Sequence, residues 1–197
     1  MSNKISAEQF YDKFAPKYDE TLKDPDCNAQ QVLEAHKIFQ KYYGTQATGK
    51  ILDIGYGTGF LSQLLEGDFQ YTGIDISGKM LEIAAQRGYQ VIHQPIETAL
   101  ASVASKSYDF VFCLSSLLFV EDIEAALKEI HRIARKAVFI SLDETTEEYI
   151  KNFACTVYNH CQTPFPNAKE DYWILGWKSP TLGISIQTRM IYEPLVP

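Results

Sequence analysis

The sequence predicts an α/β domain built on a mainly parallel sheet, and three observations carry that reading. From Lys50 onward, short apolar runs alternate with helical patterns, the signature of βαβ units. A glycine-rich turn, Gly55-Tyr-Gly-Thr-Gly59, joins the first of those runs directly to a helix. The last segment, 183–192, instead alternates Ile184, Ile186, Met190 and Tyr192 with Ser185, Gln187 and Arg189, the period of a half-buried strand. A short turn pairs it antiparallel with 172–178.

In chain order, Ser6 and Gln9 form a capping box that opens a helix carrying Phe10, Phe14 and Tyr18 at four-residue spacing, with Pro16 expected to end or kink it. A second amphipathic helix over 28–43 puts Val32, His36, Phe39 and Tyr43 on one stripe and stops at Gly44. Both helices precede the first strand, which makes them candidates for a cap over one end of the sheet. The strands are expected at 51–54, 70–74, 90–93, 110–114 and 137–142. Between them lie a helix with Leu61, Leu64 and Leu65, one capped by Ser77 and running to Arg87, a short one at 97–104, and one from Glu121 that buries Ile123, Leu127, Ile130 and Ala134. A last helix is expected over 144–160, before the Pro164-Phe-Pro166 break. The 197 residues are read as one domain: cap helices over 1–48, a ligand-binding core over 49–142, and a helix and hairpin over 143–197.

Composition narrows the function. A net charge of −7 disfavours attraction to nucleic acid or to an anionic membrane surface, both of which need a basic face. The opening Met-Ser-Asn-Lys-Ile-Ser lacks the apolar core of a signal peptide, and no apolar run reaches the length of a membrane span, so a cytoplasmic location is expected. Cys27, Cys113, Cys155 and Cys161 lack paired metal-ligand spacing and read as reduced thiols, and no metal is expected.

The turn itself separates two ligand classes. A dinucleotide fingerprint needs Gly-x-Gly-x-x-Gly, but here the third glycine comes one residue early and Phe60 stands where a small residue belongs. Asp53, two residues before Gly55, is also foreign to that pattern. Asp-x-Gly-x-Gly-x-Gly over 53–59 instead resembles motif I of the class I S-adenosylmethionine-dependent methyltransferases. Tyr11-Asp12 through Tyr18-Asp19, Gly73-Ile-Asp-Ile-Ser77 with Met80-Leu81, and Tyr108-Asp109-Phe-Val-Phe-Cys113 resemble the family's other landmarks in the right order, over about residues 8–142. The resemblance implies a Rossmann-like, seven-stranded sheet of order 3-2-1-4-5-7-6 and S-adenosyl-L-methionine as cofactor.

It also implies a site, residue by residue. Asp53, Gly55, Tyr56, Gly57 and Gly59 match the methionine-end site, where Asp53 would attract the cofactor's ammonium; the other reading of Asp53 is a carboxylate capping turn amides. Asp75 follows Gly55 by twenty residues, where an acid can accept both ribose hydroxyls. Ile76 and Met80 would sandwich adenine, although such residues are also ordinary core. The family's adenine-binding acid falls on Gln94, followed by Pro95, which has no N–H to donate, so Ile96 would have to supply it. Leu114 and Ser115, with Ser116, would line the passage from methyl donor to acceptor, and Tyr11 and Tyr18 would close over the cofactor's carboxylate or the acceptor.

Methyl transfer from a sulfonium asks the protein for positioning and exclusion of water, with a base only where the nucleophile arrives protonated. No residue announces itself as that base; Tyr11, Tyr18, Asp143, Glu144 and His160 are the candidates. Aromatic residues between Cys155 and Trp177 could wall an acceptor pocket. The expectation is O- or N-methylation of a small-molecule acceptor, with secondary metabolism as its setting, and a catalytically silent cofactor-binding partner of another enzyme as the alternative.

Overall fold

A computed structural model of the chain describes residues 5–23, 29–144, 147, 151, 165–178 and 185–195. The helix expected over 144–160 falls almost wholly outside them, as do His160, Tyr158, Cys27, Cys155, Cys161 and the hairpin turn at 179–182. The remaining elements run α1 (Ala7–Thr21), α2 (Ala29–Tyr43), β1 (Thr48–Ile54), α3 (Phe60–Leu64), β2 (Asp68–Asp75), α4 (Gly78–Gln86) and β3 (Gln90–His93). They continue α5 (Ile96–Ser102), β4 (Tyr108–Cys113), α6 (Ile123–Ile133), β5 (Ala134–Asp143), β6 (Glu170–Lys178) and β7 (Ser185–Pro194).

The seven strands form one sheet of order β3-β2-β1-β4-β5-β7-β6, as expected. The four pairings from β3 to β5 are parallel, and β7 is antiparallel to both β5 and β6. Alternate residues of each parallel strand serve opposite faces. Leu52, Ile54, Val111, Cys113, Val138 and Ile140 pack with Ile123, Leu127 and Ile130 of α6. Ile51, Phe110, Phe112 and Phe139 pack with Ala35, Ile38 and Phe39 of α2 and Leu61 of α3. Phe112 and Phe139 stack at 4.4 Å, and the Phe39 ring meets Phe69, Phe110, Phe112 and Phe139 at 5.0–6.0 Å.

Four boundaries differ from expectation, each for a physical reason. α1 runs through Pro16 to Thr21. Proline there removes the amide that would bond the Asp12 carbonyl, but side-chain bonds tie the helix down on both sides of it. Asp12 accepts from the Ser77 hydroxyl at 2.7 Å and the Lys79 amide at 3.1 Å, and Asp19 accepts from the Thr58 hydroxyl at 2.6 Å and from Arg87. Second, α2 reaches the strand ends only with its first turn, at Gln31 and Val32; the rest lies on the aromatic face of the sheet, its buried line shifted to Gln31, Ala35, Ile38 and Phe39. Third, α6 starts after Asp122, whose carboxylate caps the Ala125 amide at 2.9 Å. Fourth, Ala134 does not close α6 but opens β5, pairing with Tyr108, so helix passes into strand with no loop between.

The aromatic contact of α2 sets a test of stability. Phe39 is 1% exposed among five other rings, those of Tyr43, Phe69, Phe110, Phe112 and Phe139. Phe39→Ala is expected to destabilise the protein by about 3–5 kcal/mol, read from denaturant unfolding. A loss below about 1 kcal/mol would show that α2 does not depend on this packing.

Candidate functional site

The chain runs outward from β1 to β2 and β3, then crosses back to β4 on the other side of β1, so the sheet opens a crevice beyond the carboxyl end of β1. A cavity occupies that crevice. Its floor is Asp53, Gly55, Tyr56 and Gly57 from β1 and its turn, Asp75 and Ile76 from the end of β2, and Leu114, Ser115 and Ser116 from the end of β4. Met80, Pro95, Ile96 and Glu97 close one side, Gln31 and Val32 of α2 another, and Ala7, Tyr11, Tyr18 and Leu22 come from α1, which roofs the cavity.

The turn is held by its own backbone. The Gly55 and Tyr56 amides both donate to the Ile74 carbonyl, at 2.8 and 3.0 Å, and the Gly57 amide donates to Asp75 Oδ2 at 2.8 Å. Gly55 has φ +75°, and a Cβ there would lie 1.7 Å from the Ser116 hydroxyl, so both conformation and space demand glycine. The Tyr56 side chain turns away from the cavity. Its ring lies over Gly73, where a Cβ would come within 2.1 Å of it, and its hydroxyl meets Ser62 at 2.9 Å. Gly59, the left-handed cap residue of α3, lies outside the cavity lining.

The two acids differ in how far their oxygens are engaged. Asp75 is 9% exposed; Oδ1 accepts from the Ser77 amide and Oδ2 from the Gly57 amide, both at 2.8 Å. Asp75 is thus a turn anchor as well as a cavity residue, and a carboxylate has lone pairs left for two further donors. Asp53 is 4% exposed and accepts no hydrogen bond among the described residues. The amides it was expected to cap in the alternative reading are taken by Ile74 and Asp75. Burial, then the neighbouring Asp75 charge, pushes the Asp53 carboxyl well above the ordinary aspartate range. Burial also raises Asp75, against the pull of the Ser77 and Gly57 amides. A buried anion without a donor is costly, and a cation in the cavity would relieve that cost.

On the β3 side the Gln94 amide donates to the Asp75 carbonyl at 3.2 Å, and Gln94 does not line the cavity. Pro95, the cap residue of α5, Ile96 and Glu97 do line it. On the β4 side Ser115 adopts φ +54°, a conformation rare for serine, and its amide donates to the Ser141 hydroxyl at 2.7 Å. Among the catalytic candidates, Tyr11 and Tyr18 lie in the roof, with the Tyr18 ring 3.6 Å from the Cβ position of Gly57. Asp143 sits at the end of β5 just behind the lining, where it accepts from Thr188 at 2.6 Å and from Gln31 at 3.2 Å. Glu144 is exposed and off the cavity, and His160 is outside the described residues.

The sequence reading did not single out Gln31, Glu97, Phe119 or Val120, all of which line the cavity. Glu97 carried a signal, an acid in the first turn of a helix right after the Gln94-Pro95 pair. Its carboxylate also accepts from the Glu121 amide at 3.0 Å, joining α5 to the segment after β4. Gln31 carried none, because a glutamine beside an amphipathic stripe reads as solvated.

Comparison with known proteins gives this geometry a setting. A family model described as "Methyltransferase domain" matches residues 52–142. A Geobacillus sp. (strain WCH70) protein named as a candidate methyltransferase is 30% identical over 68% of this chain and 56% of its own length. The 2-phytyl-1,4-naphtoquinone methyltransferase of Nostoc sp. is 27% identical over 92% of this chain and 83% of its own. Thus the chain spans little more than half of the Geobacillus relative and most of the Nostoc one. Among solved structures, the magnesium protoporphyrin IX methyltransferase of Synechocystis with bound S-adenosylmethionine superposes with a TM-score of 0.58, covering 84% of this chain and 78% of that one, at 17% identity, a likeness of fold. Among the described residues no helix is long and apolar enough to cross a membrane.

Asp53 also sets a pH dependence. Its carboxyl titrates higher in the folded chain than unfolded, so the stability it leaves intact below the unfolded value is lost as pH rises through the folded one. Asp53→Asn is therefore expected to melt at a higher temperature than the parent at neutral pH, with the gap closing as pH falls below the ordinary aspartate range. Equal melting temperatures at all pH values would show that the Asp53 charge is already compensated.

Proposed function

We propose, from the premise that this chain belongs to the class I S-adenosylmethionine-dependent methyltransferases, that it transfers the cofactor's methyl group to oxygen or nitrogen of a small-molecule acceptor with a largely apolar body. The observation that carries this reading is Asp53, a buried carboxylate facing the cavity without a donor of its own. Such a group suits the cationic methionine end of the cofactor, and Asp75, one strand away, suits its ribose hydroxyls. Gly55 and Gly57 leave the backbone bare between the two acids.

Each remaining role follows from position. Ile76, Met80, Pro95 and Ile96 flank the adenine, and Glu97, not Gln94, is the acceptor on that side. Leu114 and Ser115 border the passage to the acceptor, with the Leu114 carbonyl accepting from the Ser116 hydroxyl at 2.9 Å. Tyr11, Tyr18 and Leu22 cover the cavity and exclude water from the reacting atoms. When bound, the cofactor supplies an electrophilic sulfonium methyl; the chain's task is to align the acceptor behind it. The named acceptors of the relatives, a naphtoquinone and a magnesium porphyrin, are small molecules with broad apolar faces, in line with a wall of Val32, Leu22, Phe119 and Val120.

Calorimetric titration with S-adenosylmethionine and S-adenosylhomocysteine tests this reading. Micromolar binding is expected, weakened about 10- to 100-fold in Asp75→Ala through loss of hydrogen bonds to a charged group. A melting curve for the variant separates that loss from unfolding. If neither ligand binds the parent protein, the proposal falls.

A further inference from the structure

The carboxyl edge of the sheet continues past the proposed cofactor residues. Following the strand order, Asp75 ends β2, Asp53 precedes the end of β1, Ser115 follows β4, and Asp143 ends β5. Asp143 therefore lies two strands beyond Asp53, about 10 Å along the edge, on the side away from β3. At that end of the cavity stands one polar side chain from α2, Gln31, which is 1% exposed and lines the cavity beside Val32.

The Gln31 amide is oriented from behind. Its Nε2 donates to Asp143 Oδ1 at 3.2 Å, and the same oxygen accepts from the Thr188 hydroxyl at 2.6 Å. A carboxylate accepts hydrogen bonds, so it fixes which end of a glutamine faces it. With Nε2 committed to Asp143, Oε1 is the end left for a ligand, and it takes no hydrogen bond among the described residues. Its neighbour on α2, Val32, lines the cavity beside it.

Resting on the methyl-transfer reading above, we propose that Gln31 is the specificity-determining residue for the methyl acceptor, presenting its amide oxygen to a hydroxyl on an aromatic or alicyclic body, with Asp143 as the positioning residue that sets its orientation. The hydroxyl held this way is a handle and not the nucleophile, because an amide oxygen accepts a hydrogen bond but does not take the proton. The handle fixes which atom of the acceptor faces the methyl donor. Asp143 has no contact with the acceptor; it acts through Gln31.

The test is a binding experiment on the full chain, with and without saturating S-adenosylhomocysteine. The probes are phenols, hydroxycoumarins and hydroxynaphthoquinones, each beside its deoxy and O-methyl analogue, at a mildly acidic pH that keeps the hydroxyl protonated. The parent protein is expected to prefer a hydroxylated probe over its analogues by about tenfold, the worth of one buried hydrogen bond. Gln31→Leu is expected to erase that preference while S-adenosylhomocysteine affinity stays within about twofold. Asp143→Asn is expected to shrink it, because an amide opposite Gln31 no longer dictates which end faces outward, whereas a merely structural Asp143 would lower all affinities together. If S-adenosylhomocysteine binds but no hydroxylated probe outbinds its analogues, or if Gln31→Leu leaves the preference intact, this inference is overturned and the cofactor reading stands. If S-adenosylhomocysteine does not bind the parent protein, the cofactor reading itself fails.

Discussion

The closure of the glycine turn onto the end of β2 is the constraint on which the site depends. Three amides, from Gly55, Tyr56 and Gly57, reach across to Ile74 and Asp75. Those bonds make the end of β1 and the end of β2 a single unit, with the paired register Asp53↔Gly73 and Ile54↔Ile74 running into it. Because Asp75 and Ile74 take these donors, Asp53 is left with none. The same bonds turn the Tyr56 ring onto Gly73, which fills the space under the turn and leaves its upper side bare. The cavity is therefore a product of backbone hydrogen bonding first and of side-chain chemistry second.

An electrostatic cost comes with that arrangement. Asp53, Asp75 and Asp143 are all buried along one edge of the sheet, and burial raises the carboxyl of each. They are offset to different degrees. Asp75 has two amides, and Asp143 has Thr188 and Gln31 working against its burial, while Asp53 has no donor among the described residues. The least compensated acid stands between the other two, at the centre of the crevice. A fold optimised only for stability would not keep a carboxylate there, and strain of this kind collects at functional sites.

Much of this was legible in the sequence. The parallel βαβ core follows from the alternation of elements and the cavity position from Asp53 with its glycines, while the full strand order comes with the family resemblance those residues carry. What was not legible depends on tertiary contact. Pro16 reads as a helix breaker, and only the bonds of Asp12 and Asp19 explain why α1 continues. Ala134 fits the apolar rhythm of α6, yet pairing with Tyr108 draws it into β5. The double duty of Asp75 needs the register of β1 against β2, which no spacing reveals. Gln31 reads as a solvated helix residue, and only the packing of α2 on the sheet buries it.

The roof has a consequence of its own. The buried side chains of α1 are Ala7 and Ala15, small groups that remove little apolar surface from water. Besides aromatic contacts such as Tyr11 against Phe119 at 5.9 Å, it is tethered by carboxylates: Asp12 on a hydroxyl and an amide, Asp19 on a hydroxyl and a guanidinium. The stacked rings and aliphatic packing of the core are not screened by salt, whereas attachments made through exposed charge are. Salt thus weakens part of what holds the cover of the cavity and leaves the packed core as it is, so the cover is the part of the site most sensitive to ionic strength.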